Sequence, residues 1–563
     1  MKILENPEKS QLRKALRLYT GLWRFVNSGD LWNIVKANAL ATMLFVLIDG
    51  FFLRFMGFPR SVVVVDFILC VMFMAGVRIA VRLYKEHRAR FKKGQRRNHN
   101  ILIFGAGEAG VILLEEILRN PSMGNVIGFA DDDRNKMHKK ISGVKILGYR
   151  HDIPGLVEEH EVHEIILAIP SAEGETVRGV LAYCEQTPAK IRVVPGLNKI
   201  IAGEMEVRPR EVRPDDLLGR ETVRIDTEQI GHYLKDRVVL VTGAGGSIGA
   251  ELCRQVAGFS PKEIIFFDHY ENNLYFLVMD FKTRYPQVNA RSIIGDVRDV
   301  GLLISVFKSY KPQVVFHAAA HKHVPLMEEN PTAAVKNNVD GTRNMIYASH
   351  HYGAECFVLI STDKAVNPAN VMGMSKRIAE MVLQNKAAKS RTKFMAVRFG
   401  NVLGSAGSVV PLFKRQIEDG GPITITHPDV KRYFMSIKEA VMLVLQAGAM
   451  GQGGELFILD MGEQIKVIEI ARNLVRLSGL VPDKDIKIKI VGLRQGEKLE
   501  EELLLDKEKD IVTRHNKIYV SRSRSQVPGA ELNRRIRELH RLARAMADRA
   551  IVDHMRAIIA EDR

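Results

Sequence analysis

The stretch that most constrains this chain is VVLVTGAGGSIGAE, Val238 to Glu251. Its apolar run Val238–Val241 predicts a buried strand, and helical periodicity follows it. Between the two, Gly243, Gly246 and Gly249 stand in the pattern T-G-x-x-G-x-x-G. The first glycine permits the tight turn, the second lets the backbone approach a pyrophosphate, and the third lets the helix pack on the strand. The helix N-terminus then faces the anion. Thr242, Gly243, Gly246, Ser247, Ile248 and Gly249 are therefore the expected dinucleotide contacts. The plain alternative is an ordinary glycine-rich turn, and the strands that follow argue against it.

Glu263–Phe267 reads as a second strand ending at Asp268, where a carboxylate takes the adenosine ribose hydroxyls. Arg291–Gly295 is a third strand, and Asp296 and Val297 after it suit the adenine edge. Val314–His317 is a fourth, running into Ala318, Ala319 and Ala320, small enough for a cofactor to lie on the backbone. Phe357–Ile360 is a fifth, leading to Ser361-Thr362-Asp363-Lys364. No Arg or Lys directly follows Asp268, which favours NAD, with NADP left open. The loop lacks G-K-[ST], so a P-loop nucleotidase is excluded.

At 563 residues the chain is too long for one ordinary domain. Cys70, Cys184, Cys253 and Cys356 lie far apart, which argues against a disulfide framework or zinc site, and no metal is expected. The net charge is +17, but residues 1–97 hold 18 Lys/Arg against 6 Asp/Glu, so +12 of it flanks two apolar runs. That pattern belongs to a membrane anchor rather than a nucleic-acid binder. The expected order is a basic amphipathic segment (1–36), a membrane hairpin (37–84) and a basic juxtamembrane linker (85–98). Trp23 and Trp32 precede the first run, as interfacial tryptophans do. Asp49, Arg54, Asp66 and Arg78 inside the runs leave a re-entrant hairpin or a buried helix pair as alternatives. No secretory-signal pattern is read at the N-terminus.

Residues 99–200 form another α/β unit, with strand Asn100–Phe104, the loop Gly105-Ala106-Gly107-Glu108-Ala109-Gly110, and strand Val126–Ala130 ending at Asp131-Asp132-Asp133. A degenerate structural domain and a ligand-binding one are equally open there. Residues 201–236 read as a linker, 237–525 as the catalytic domain with a C-terminal substrate-binding part, and 526–563 as a basic helical tail. The tail packs on the body or a partner, or lies on a membrane surface through Arg534, Arg535, Arg537, Arg541 and Arg544. The expected fold class is α/β, two Rossmann-like doubly wound parallel-sheet domains preceded by a helical membrane anchor.

Further stretches are FHAAAHKHVPLMEENP at 316–331, NNVDGT at 337–342, STDKAVNPANVMGMSKR at 361–377, RFGNVLGSAGSVVP at 398–411 and RQGEKLEEELL at 494–504. Through these the chain resembles the extended short-chain dehydrogenase/reductase superfamily. Within it, the chain is similar to the large membrane-anchored UDP-N-acetylglucosamine 4,6-dehydratases of bacterial polysaccharide biosynthesis. Long members of that family have four membrane crossings, and this chain has room for two.

Ordinary members of the superfamily carry Tyr-x-x-x-Lys after strand five, where the Lys holds the nicotinamide ribose and the Tyr takes a hydroxyl proton. Here the pair is Met372 and Lys376, so the lysine is kept and the base is gone. The resemblance implies an internal redox reaction: oxidation at C4 of the hexose, loss of water across C5 and C6, and return of the hydride to C6. It implies that Asp363 protonates the leaving C6 oxygen, that Lys364 takes the C5 proton with a lowered pKa, and that Thr362 hydrogen-bonds the C4 oxygen. The acceptor of the C4 hydroxyl proton stays open between Asp363, a water and a relay through Thr362. The implied product is UDP-2-acetamido-2,6-dideoxy-α-D-xylo-hexos-4-ulose, with tightly bound, recycled NAD. Expected substrate contacts are His321, Lys322, Asn401, Arg432 and Arg494, the arginines reaching the diphosphate, with a plain structural role equally open for each. Expected partners are the UDP-sugar, the inner membrane with the catalytic domains in the cytoplasm, and further copies in a homo-oligomer. The alternatives are a nucleotide-sugar epimerase on the same scaffold and a non-catalytic nucleotide or redox sensor of a glycan assembly complex.

Overall fold

The computed structural model describes residues 28–52, 60–91, 99–170, 172, 174–194, 210–211, 223, 225–478, 480–503, 513–521 and 525–562. Residues 1–27 of the expected basic segment (1–36), residues 92–98 of the juxtamembrane linker (85–98) and most of the 201–236 linker lie outside them. Two helices, Ser28–Phe52 and Arg60–Phe91, occupy the apolar runs and pack on each other. Leu40, Leu44, Leu47 and Phe51 of the first, and Val65, Ile68, Leu69 and Phe73 of the second, are exposed. Among the described residues no helix is long and apolar enough to cross a membrane, so the expected crossing is not supported. The charges that the sequence places in these runs, Asp66 and Arg78 among them, cut the apolar length.

The first α/β sheet holds β1 (Asn100–Phe104), β2 (Asn125–Ala130), β3 (Lys140–Ile141), β4 (Val144–Gly148), β5 (Val162–Leu167), β6 (Lys190–Val193) and β7 (Arg210–Glu211). Their order is β3-β4-β2-β1-β5-β6-β7. Where a linker was expected, helix Thr227–Leu234 forms. Asp226 caps it through the Gln229 N–H, and Ile230 and Leu234 are buried.

The second sheet begins with β8 (Val238–Thr242), β9 (Glu263–Asp268), β10 (Ala290–Ile294), β11 (Val314–His317), β12 (Cys356–Ile360) and β13 (Lys393–Arg398). A smaller lobe interleaves β14 (Asn401–Val402), β15 (Ile423–Ile425) and β16 (Lys431–Met435), before β17 (Leu456–Leu459) rejoins the main sheet. The short strands β18 (Gln464–Lys466) and β19 (Ile488–Ile490) then complete the lobe, and β20 (Ile518–Ser521) closes the main edge. The main order is β10-β9-β8-β11-β12-β13-β17-β20, parallel except for β20. Strand order reverses beside β8, so the crevice of the α/β sheet opens at the carboxyl ends of β8 and β11.

The sheet's central strands β8, β9, β11 and β12 are buried on both faces, which is why they read as continuous apolar runs, while the edge strand β10 is exposed. Val239 and Val241 enter one core with Ile264 and Phe266, and Leu240 enters the other with Ile265 and Phe267. The Arg-rich tail folds as helices Gly529–Arg544 and Asp548–Glu561. Leu532, Ile536, Leu539, Ile551, Met555 and Ile558 share a core with Met372, Met374 and Ile378 of the helix after β12. This corrects the membrane-surface reading: the apolar stripe is spent on the protein. The outer arginines pair locally, Arg534 and Arg535 with Glu531 and Arg541 with Glu538.

Candidate active site

The glycine loop sits between β8 and helix Ser247–Ala257. Gly243 has φ +67°, and a Cβ there would lie 2.7 Å from Ala319 N and 2.8 Å from Ala318 O. A Cβ on Gly249 would lie 2.0 Å from Gly243 O. No side chain caps the helix at Gly246, so its first N–H groups are left for an anion. The Asp268 carboxylate closes the loop, accepting from Gly245 N and Tyr270 N, each at 2.8 Å. Ser247 Oγ accepts from Ala406 N at 3.0 Å, joining the loop to the segment after β14. Asp296 is gripped by Arg298, whose hydrogen bonds hold its carboxyl below the usual range, and Val297 is buried beside it. These are the features of a dinucleotide cradle, and the glycines fit it because any side chain would fill it.

Beneath the loop lies an arrangement that the sequence did not announce. His317, at the end of β11, is 2.7 Å from Thr242 Oγ1 through Nδ1 and 3.0 Å from Thr342 Oγ1 through Nε2. All three residues are buried. Burial, helped by the Lys376 charge, pushes the imidazole down to about 3, so it stays neutral. Asn338, from the NNVDGT stretch, accepts from His321 N at 2.8 Å and donates to His321 O at 3.0 Å and Ser375 Oγ at 2.9 Å. It therefore ties the segment after β11 to the helix that carries Met372. Lys322 reaches Ser405 Oγ at 3.4 Å, and burial lowers its pKa.

At the end of β12, Thr362, Asp363 and Lys364 form one cluster. Asp363 Oδ1 accepts from Thr362 Oγ1 at 2.8 Å, Lys364 N at 2.8 Å and Lys364 Nζ at 3.0 Å. Asp363 Oδ2 is buried with no hydrogen-bond partner among the described residues. Lys364 Nζ also donates to Asn401 Oδ1 at 3.2 Å and faces Glu501 Oε1 at 3.7 Å. Burial works to lower the ammonium's pKa, but the Asp363 and Glu501 carboxylates outweigh it, and the pKa lies above its usual value. The sequence expectation of a lowered Lys364 pKa is corrected for the resting site, because burial comes with two counter-charges.

Helix Val371–Ala387 begins beside this cluster, capped by Asn370 Oδ1 on Gly373 N at 2.7 Å. Met372 is buried, with a thioether where the superfamily has a phenol. Lys376 Nζ donates to Ile360 O at 2.7 Å, and burial brings it down to about 8. One turn further, Glu380 accepts from Ser361, Arg398 and Arg377. Arg432 is buried and engaged within the protein. Its guanidinium donates to the carbonyls of Lys431, Lys498 and Leu499 and pairs with Glu497, fixing the loop over 494–501. Arg494 is exposed; its backbone N–H donates to Glu497 Oε2 at 3.2 Å and its carbonyl accepts from Glu497 N at 3.1 Å.

The first α/β unit repeats the loop-closing carboxylate: Asp131 accepts from Ala106 N at 2.7 Å and Asp133 N at 2.9 Å. Burial pushes this carboxyl up, but those N–H groups and Lys136 together hold it below its usual range.

Residues 239–523 match the family described as polysaccharide biosynthesis protein, and residues 19–195 match one described as CoA-binding domain. The probable polysaccharide biosynthesis protein EpsC of Bacillus subtilis is 42% identical over 489 residues, 86% of this chain and 81% of that one. A UDP-N-acetylglucosamine 4,6-dehydratase (inverting) of Campylobacter jejuni is 34% identical over 268 residues, 47% of this chain and 76% of that one. A UDP-glucose 4-epimerase of Rickettsia bellii is 35% identical over 280 residues, 48% of this chain and 79% of that one.

Proposed function

Because this chain belongs to the polysaccharide biosynthesis protein family of extended short-chain dehydrogenases/reductases, we propose that it is a UDP-N-acetylglucosamine 4,6-dehydratase. The observation that carries the reading is the pairing of Thr362-Asp363-Lys364 with a buried Met372 and a retained Lys376. An epimerase of the ordinary kind needs the phenol that Met372 lacks. An elimination needs an acid and a base side by side, which Asp363 and Lys364 supply.

Thr242, Gly243, Gly246, Ser247, Ile248, Gly249, Asp268, Asp296, Val297, Ala318, Ala319 and Lys376 would hold a nicotinamide dinucleotide. When bound, NAD supplies the reversible store for the hydride that leaves C4 and returns to C6. The protein's own part is proton movement and orientation. Thr362 Oγ1 orients the C4 hydroxyl, and its bond to Asp363 Oδ1 supports a relay of the C4 proton to that carboxyl. Asp363 then protonates the C6 oxygen as it leaves, and Lys364 takes the C5 proton and returns it. His321, Lys322 and Asn401 are the pocket residues that the reading assigns to the sugar nucleotide. Arg432 acts through the 494–501 loop instead.

The exposed apolar side chains of the two N-terminal helices support membrane association, with the catalytic units on the cytoplasmic side. Further copies in a homo-oligomer complete the reading. Mass analysis of the product made from UDP-N-acetylglucosamine without added NAD tests the activity. Retention of the chain by sedimented vesicles tests the association.

A further inference from the structure

The loop RQGEKLEEELL is built into the site more firmly than binding a diphosphate requires. Asn370 Nδ2 donates to Gly496 O at 3.0 Å, and Asn367 Nδ2 to Glu502 Oε2 at 2.8 Å. Lys431 N donates to Leu499 O at 2.9 Å, and Gln464 Nε2 to Glu501 O at 2.8 Å. These bonds hold one buried carboxylate, Glu501, against the Lys364 ammonium. The groups facing Lys364 are Asp363 on its own turn, Asn401 after β13, Glu501 from the loop and Arg432 from β16. Arg432 Nε lies 3.7 Å from the same Glu501 oxygen.

At rest this is a charged triad: Asp363 carboxylate, Lys364 ammonium, Glu501 carboxylate. Resting on the dehydratase reading, the chemistry then has a gap. The proton released by the C4 hydroxyl makes Asp363 the acid that the C6 oxygen needs, but Lys364 still carries its own proton and has no lone pair for C5. We infer that Glu501 is the positioning residue that takes the Lys364 proton during elimination and gives it back afterwards.

The proton count closes. Asp363 gains the C4 hydroxyl proton and loses its negative charge, which removes the stronger of the two fields holding the Lys364 proton. Lys364 passes one proton to Glu501, and the 3.7 Å ion pair tightens to a hydrogen bond, as apo contacts of this kind do. The Lys364 amine takes the C5 proton while the Asp363 carboxyl protonates the C6 oxygen. The C6–O bond breaks, water leaves, and C5=C6 forms. Once C6 has been reduced, Lys364 returns its proton to C5 and Glu501 returns its own to Lys364. All three side chains end as they began.

The test uses the full-length protein with its bound dinucleotide, as wild type, E501Q and E501D. In E501Q, quenched reactions should contain a sugar two hydrogens lighter than the substrate that still holds its C6 oxygen. Water loss should fall about a hundredfold near neutral pH and recover as pH rises, because solvent must then take the Lys364 proton. E501D should keep the flatter wild-type profile. Independently of turnover, the pH midpoint for competitive acetylation of Lys364 should fall in E501Q. Wild-type water loss in E501Q, an unchanged Lys364 midpoint, or an E501D profile that follows E501Q would each overturn the inference. Wild type that removes no water would instead sink the dehydratase reading, while the acetylation comparison would still report on the Glu501 contact.

Discussion

Arg377 donates two hydrogen bonds to one oxygen of Asp562, Nε at 2.9 Å and Nη2 at 2.5 Å, across 185 residues of chain. Arg377 also holds Glu380 at 3.1 Å, and Glu380 holds Ser361, the residue before Thr362. The C-terminal tail is thereby linked to the start of the Thr362–Lys364 cluster through buried charges.

Asp562→Ala should therefore destabilise the domain that holds this cluster by about 3–5 kcal/mol, because it leaves Arg377 buried with half its partners gone. Ile558→Ala, at 0% exposure in the same helix pair, should cost about 2–5 kcal/mol through its cavity. Urea midpoints at constant slope check both.

Stability should fall in acid in two stages. Glu380 is pushed down to about 2 from 4.5, because Arg398 and Arg377 outweigh its burial. A depressed carboxyl stabilises above its unfolded pKa, and that contribution, about 3 kcal/mol, is lost as pH falls from 4.5 toward 2. His317 is held neutral down to about 3 from 6.5, so it begins to cost stability earlier, as pH falls below 6.5. Urea titrations at stepped pH should show the early loss vanish in His317→Gln and the late loss vanish in Glu380→Gln.

The glycine cradle makes dinucleotide binding sensitive to a single methyl group. Gly249→Ala puts a methyl 2.0 Å from Gly243 O, so the loop must move. Dinucleotide affinity, read by fluorescence titration, should drop by at least about tenfold, the equivalent of 1.4 kcal/mol. Lys376→Met should weaken it similarly by removing the ammonium bound to Ile360 O.

Asp363→Asn should lower turnover by about a hundred- to ten-thousandfold, the range for loss of a general acid. Lys364→Met should do the same, and the double variant should add little, because one proton circuit uses both. Initial rates of product formation check this.

Much of the site was legible because strand-and-loop grammar places it. VVLVTGAGGSIG predicts β8, the turn and the helix, and Asp268 and Thr362–Lys364 fall at strand ends as read. What stayed hidden depends on long-range packing. Glu501 sits in Lys498-Leu499-Glu500-Glu501-Glu502, which reads as a solvated charge run until the fold brings it to Lys364. Arg432 looked like a diphosphate ligand because sequence cannot show that backbone carbonyls have consumed its donors. Of the readings the tail's sequence left open, packing on the body and lying on a membrane surface, the buried stripe takes the first, the one its periodicity favoured.

On the proposed function, this site removes water from a nucleotide sugar with a cofactor that ends unchanged. Full-length protein incubated with UDP-N-acetylglucosamine and no added NAD should yield a product lighter by one water, with deuterium entering C5 in heavy water. A product of unchanged mass that is a new sugar isomer, or no product even with NAD supplied, would contradict it.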